Sequence, residues 1–106
     1  MRRLLTTLLA PFLCATLPAQ VDFWAVTGSV KDVAMYNKLA RDFEQSSGIK
    51  VKVTPLAWGS FETKFYASMA AGIPPDIGMT NLGGPFNYGS VGGLVNFDKE
   101  FPEEAA

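Results

Sequence analysis

From Val21 to Thr27 the chain reads VDFWAVT, apolar on both faces apart from Asp22, which is the pattern of a strand buried in the middle of a parallel sheet. Thr27-Gly28-Ser29 closes that strand. Ser29 and Asp32 are spaced for a capping box, and Val33, Tyr36, Leu39, Ala40 and Phe43 then recur at helical spacing. Ser46-Ser47-Gly48 ends the helix, with Gly48 suited to a left-handed C-cap. Ile49, Val51 and Val53 alternate with Lys50, Lys52 and Thr54, so the second strand buries one face and is predicted at a sheet edge. Pro55, which cannot donate to a ladder, agrees with an edge, and Leu56-Ala57-Trp58-Gly59 reads as the exit loop. Ser60 is placed to cap a second helix in which Phe61, Phe65, Met69 and Gly72 fall at spacings of three and four. Gly72-Ile73-Pro74-Pro75 stops it, because proline lacks an amide hydrogen and disfavours helix in the residue before it.

Asp76 to Thr80 is predicted as the third strand. Beyond Asn81 the pattern gives a turn at Leu82-Gly83-Gly84-Pro85, one or two helical turns from Phe86 to Val91, an apolar run from Leu94 to Phe97, and the start of another element at Asp98 to Pro102. Two strand-helix-strand units in succession imply right-handed crossovers. A central first strand with the second at the edge then gives an α/β fold with a parallel sheet in the spatial order 2-1-3 and helices packed on it. Ligands of such sheets meet the carboxyl ends of the strands, so Thr27-Gly28-Ser29, Trp58-Gly59-Ser60 and Thr80-Asn81-Leu82 are expected to share one rim.

The start of the chain belongs to a different object. Met1-Arg2-Arg3 is basic, Leu4 to Leu13 is apolar, and Cys14 to Gln20 is a polar-to-small exit, which together read as a secretory signal peptide over residues 1–19, cleaved after Ala19. The apolar core falls short of the roughly 20 residues a spanning helix needs. Bulky Phe12 and Leu13 argue against acylation of Cys14, so the mature chain is expected to lack cysteine. Without Arg2 and Arg3, seven basic residues face ten acidic ones, a net of −3, and no basic patch for nucleic acid survives. Histidine is absent, no G-x-G-x-x-G or G-x-x-x-x-G-K-[ST] occurs, and no carboxylate pair stands on the rim, so an enzyme is disfavoured.

VDFWAVTG, YNKLARDFEQSSGIKVKV, ETKFYASMAAGIPPDIGMTN and YGSVGGLVNFDKEFP, in this order, resemble the N-terminal lobe of bacterial extracellular solute-binding proteins of the maltodextrin-binding type, which serve ABC importers. The most specific pieces are F-E-x-x-[ST]-G-I-K-V at Phe43 to Val51 and A-A-G-x-x-P-D-I at Ala70 to Ile77. The resemblance implies a two-lobed, periplasmic or extracellular, monomeric protein without cofactor that closes on a solute, most often a sugar, and delivers it to a membrane permease. Residues 20–106 would then be part of the N-terminal lobe. It also implies ligand contacts from Thr27 to Ser29 and from Thr80 to Gly84. The charged pairs that hold sugar hydroxyls in the maltodextrin-binding members are missing, since Gly83 and Gly84 occupy that region.

A neutral polyol needs hydrogen-bonding side chains and an aromatic face. Thr27, Ser29, Thr80 and Asn81 are candidates for the first, with Gly28 beside them, and Trp58 and Tyr88 for the second. Each also has a structural reading: Ser29 and Ser60 as helix caps, Asn81 as a turn, Tyr88 packed under Gly92-Gly93. Trp24 is expected in the core, and Asp76 is expected to accept from amides of the Pro74-Pro75 turn. Two other readings accompany import: a truncated remnant, whose residues 20–106 alone would show no sugar-induced thermal shift, and a sensor that presents its ligand to a receptor.

Overall fold

The computed structural model describes residues 19–104, so the leader assigned to residues 1–19, with Cys14, lies outside the described residues apart from Ala19. Three strands, β1 (Gln20–Thr27), β2 (Lys50–Ala57) and β3 (Ile77–Gly78), form a parallel sheet in the order β2-β1-β3, as the hydrophobic pattern predicts. Helix α1 (Val30–Ser47) joins β1 to β2 and α2 (Phe61–Ala70) joins β2 to β3; α3 (Gly84–Ser90) and the short α4 (Phe97–Glu100) follow. The chain moves one way from β1 to β2 and the other way from β2 to β3. A constant crossover hand therefore requires α1 and α2 on opposite faces.

The side chains bear this out. On one face Phe23 meets Tyr36 of α1 edge to face, with ring centroids 5.7 Å apart. On the other, Trp24 packs against Phe65 of α2 at 5.2 Å. The buried core is on this second face: Val26 and Leu56 from the sheet, Phe61 and Phe65 from α2, and Tyr88 from α3, with Trp24, Met69 and Met79 against them. Gly78 in β3 lies directly beneath the Phe65 ring, where a Cβ would collide with it. That close approach explains a glycine inside so short a strand.

Local signals decided the helix ends. Ser29 caps α1 by accepting from the Asp32 amide at 3.3 Å, and Gly48 ends it at φ 74°. Helix α2 ends at Ala70, and Gly72 lies beyond its end instead of on its face, taking φ 72° while its amide donates to the Met69 carbonyl at 3.1 Å. Strand β2 runs through Pro55 to Ala57, so Leu56, buried in the core, belongs to the strand and not to an exit loop. An edge strand admits proline because half of its amides have no ladder partner. Gly84 and Pro85 lie inside α3, where proline suits the first turn.

Strand β3 is shorter than predicted, and a carboxylate extends its ladder. The Asp76 amide donates to the Asp22 carbonyl at 3.1 Å, and the Asp22 amide donates back to the Asp76 carboxylate at 2.7 Å. Asp76 is structural, as expected, but its partner is β1 and not the Pro74-Pro75 turn, whose two prolines carry no amide hydrogen. Asp76→Ala is expected to cost about 1 kcal/mol, read as a lower urea midpoint. An unchanged midpoint would show that water replaces the carboxylate at no cost.

Candidate functional site

Parallel register builds the rim. Thr27, the last residue of β1, pairs with Ala57, the last of β2, so Gly28-Ser29 and Trp58-Gly59 leave the sheet side by side. Gly78 aligns with Trp24, and the Met79 amide donates to the Trp24 carbonyl at 2.9 Å, so Thr80 and Asn81 carry the chain toward the same edge. All six candidate residues therefore lie at or just beyond the carboxyl end of the sheet.

Their side chains differ in what they have left to offer. Ser29 Oγ accepts the Asp32 amide, and the Asp32 carboxylate accepts the Gly28 amide at 3.3 Å, a reciprocal cap that fixes the loop after β1. The Ser29 hydroxyl donates to no other group among the described residues. Trp58 is 54% exposed, with its ring edge-to-face against buried Phe61 at 5.6 Å, so much of the indole is accessible at the rim. Ser60 occupies the N-cap position of α2 but does not cap with its side chain; its hydroxyl donates instead to the Ala57 carbonyl at 3.5 Å.

At the end of β3 the Thr80 hydroxyl turns inward. It lies against Gly84, where any Cβ would overlap it, and it is buried without a hydrogen-bond partner. The Tyr88 hydroxyl is equally unpartnered, and the two lie side by side without a hydrogen bond of good geometry. Burial pushes the Tyr88 phenol above its ordinary value of 10.0; the Thr80 hydroxyl opposes that rise, and Glu62 and Tyr66 add to it. Tyr88 itself is 3% exposed, packed at a tilt on Phe65 at 5.6 Å and edge-on to Tyr66 at 5.2 Å, and the Gly93 amide donates to its carbonyl at 2.8 Å. It packs beneath the Gly92-Gly93 loop and offers no face to a solute.

Trp24 is likewise held in the core, its indole N–H donating to the Asp22 carboxylate at 3.0 Å, while Thr54 donates to the other Asp22 oxygen at 3.2 Å. Asn81 does two things. Its carbonyl accepts the Gly84 amide at 3.0 Å, closing the turn into α3, and its side-chain amide donates to Glu62 at 3.0 Å. Glu62 is a rim residue that pattern reading missed. In sequence it is only an acid in the first turn of α2; its partner stands 19 residues away on another loop.

A cleft of about 670 Å³ runs beside β3 past Phe65, Met69, Ile77, Thr80, Tyr88 and Leu94. Its lining is mostly apolar, with Asp76 and Thr80 as polar members. Among the described residues no three histidine, cysteine, aspartate or glutamate side chains are grouped to hold a metal ion, and no helix is long and apolar enough to cross a membrane.

Comparison with known families adds one result. The sequence model described as bacterial extracellular solute-binding protein matches residues 27–106. No curated protein and no solved structure matches the chain.

Proposed function

Because this chain belongs to the family of bacterial extracellular solute-binding proteins, we propose that it binds a sugar or oligosaccharide and hands it to the inner-membrane permease of an ABC importer. Residues 20–106 act as part of the N-terminal lobe of a two-lobed, monomeric protein, exported on a leader comprising residues 1–19 to the periplasm or cell exterior. Thr27, Gly28, Ser29, Trp58 and Asn81 form this lobe's share of the solute site, with Thr80, its hydroxyl turned inward, positioning Asn81.

The observation that carries the reading is the register of β1 with β2, which sets Ser29 and the exposed indole of Trp58 just beyond adjoining strand ends. Hydroxyl donors and carboxylate or amide acceptors serve sugar hydroxyls, and an exposed indole serves the apolar C–H patches of a pyranose ring. Nothing on the rim supplies a nucleophile with an adjacent base, so binding without turnover is the chemistry it favours.

The test uses the protein as the cell exports it, titrated with a panel of neutral mono- and disaccharides and followed by tryptophan fluorescence and thermal denaturation. A saturable fluorescence change and a rise of several degrees with at least one sugar are expected. If amino acids bind and no sugar does, the carbohydrate reading falls and solute binding stands.

A further inference from the structure

We propose that Glu62, braced by Asn81, touches the solute and sets its charge class, favouring hydrogen-bond donors and turning away anionic solutes. This rests on the solute-binding reading above and names a residue and a selectivity within that site.

The Glu62 carboxylate has two oxygens and only one internal partner. Oε1 accepts the Asn81 side-chain amide at 3.0 Å, which holds the carboxylate between the start of α2 and the loop after β3. No second hydrogen bond to Glu62 is made among the described residues, and no lysine or arginine there pairs with it, the one ion pair being Lys38–Asp42 on α1. Glu62 therefore stands on the rim as an oriented, uncompensated negative charge with lone pairs to spare. A first-turn acid is favoured by the helix dipole wherever it points. The dipole does not account for an amide reaching it from a loop 19 residues away.

Asn81 completes the selection. With one amide N–H committed to Glu62, it has its second N–H and its carbonyl oxygen, on the Gly83 side of the loop, left for a ligand. The β3 side of the rim thus carries one formal charge, on the Glu62 carboxylate, with its second oxygen and the Asn81 carbonyl as acceptors. Across from it, the Asp32 carboxylate is bound to the Gly28 amide, adding a second negative charge. Paired hydroxyls of a neutral sugar, or the ammonium of an amino sugar, satisfy such a surface; a uronate or sugar phosphate meets the repulsion of two carboxylates, which the neutral donors on Ser29 and Asn81 offset less than a cation would.

The test takes the exported protein, wild type, Glu62→Gln and Asn81→Ala, and measures binding of six probes by calorimetry: glucose, glucosamine and glucuronate, and the three corresponding forms of galactose. Wild type is expected to bind the neutral or amino form of one series and to bind its uronate at least roughly tenfold more weakly, the scale of one unscreened charge at contact distance. Glu62→Gln keeps the acceptor for Asn81 and removes only the charge, so it should weaken neutral and amino sugars and narrow the gap to the uronate. Asn81→Ala should weaken binding yet keep the rejection of the uronate, because the charge remains; a merely structural Glu62–Asn81 contact would lower all probes together in both variants. Equal wild-type affinity for uronate and neutral sugar, or an unchanged gap in Glu62→Gln, overturns the inference and leaves sugar binding intact. Binding of none of the six, and of no disaccharide, overturns both.

Discussion

Phe65→Ala is expected to lower the free energy of unfolding by about 3–5 kcal/mol, the range for removing a buried aromatic ring. The ring is the hub of the core face: it packs on Trp24 at 5.2 Å, on Tyr88 at 5.6 Å and on Phe61 at 6.3 Å, and it covers Gly78. Its removal loosens β1, α2, α3 and β3 at one point, and Gly78 beneath it has no side chain to fill the space. A domain of this size holds roughly 4–13 kcal/mol in total, so the loss is a large share of stability. Urea unfolding followed by far-ultraviolet circular dichroism reads it directly. A loss under about 1 kcal/mol would mean that the cluster around Phe65 is not what holds the sheet to α2.

The second large effect is expected at Gly84. Alanine there places a methyl group on the Thr80 hydroxyl, so either α3 or the end of β3 must shift, at about 1–3 kcal/mol. Thr80→Ala alone should be close to neutral, because the hydroxyl it deletes is buried and unpartnered. Combined, the two substitutions should cost less than their sum, as Thr80→Ala removes the Oγ1 and Cγ2 atoms that crowd the new methyl group. Recovery stays partial, since the Thr80 Cβ is itself 2.7 Å from the added carbon. Strict additivity in thermal or urea unfolding would refute the contact. The same shift would move Asn81, one residue from Thr80, and with it the brace on Glu62.

Much of this architecture was legible from residue pattern, because periodicity reports burial and burial is what the sheet imposes. Val21 to Thr27 read as a strand apolar on both faces and is the central strand; Lys50, Lys52 and Thr54 marked the edge; Ser29 and Gly48 marked both ends of α1. The misreadings occurred where a residue's general preference met a particular neighbour. Pro55 rightly indicates an edge, but Leu56 and Ala57, which follow it and read as an exit loop, continue the strand and bring Leu56 to the core. Gly72 fitted the spacing of α2 by number but serves its termination by conformation. Ser60 has the chemistry of a cap and the position of one, but its backbone at φ −132° and ψ −5° directs the hydroxyl to a carbonyl.

Pattern was a weaker guide to the rim for a related reason. Position on the rim follows from strand order and could be read; the commitment of each polar group depends on single hydrogen bonds across loops. Nothing in the one-dimensional text distinguishes the Thr80 hydroxyl, which turns inward, from the Ser29 hydroxyl, which keeps a proton to give. Nor does it connect Glu62 with Asn81.

The central strand is also the first to be made, and this bears on how the chain acquires its shape. Gln20 finds its β2 partner only at Lys50, thirty residues later, and Phe23 its β3 partner at Ile77, fifty-four later. Each pairing must close its loop before it gains anything, so assembly is slow compared with that of a helical bundle. A ribosome or a translocation pore that releases this chain from its N-terminus delivers β1 with nothing to pair with. Until Ile77 and Gly78 emerge, β1 has one unpaired edge, and the sheet cannot close around its central strand.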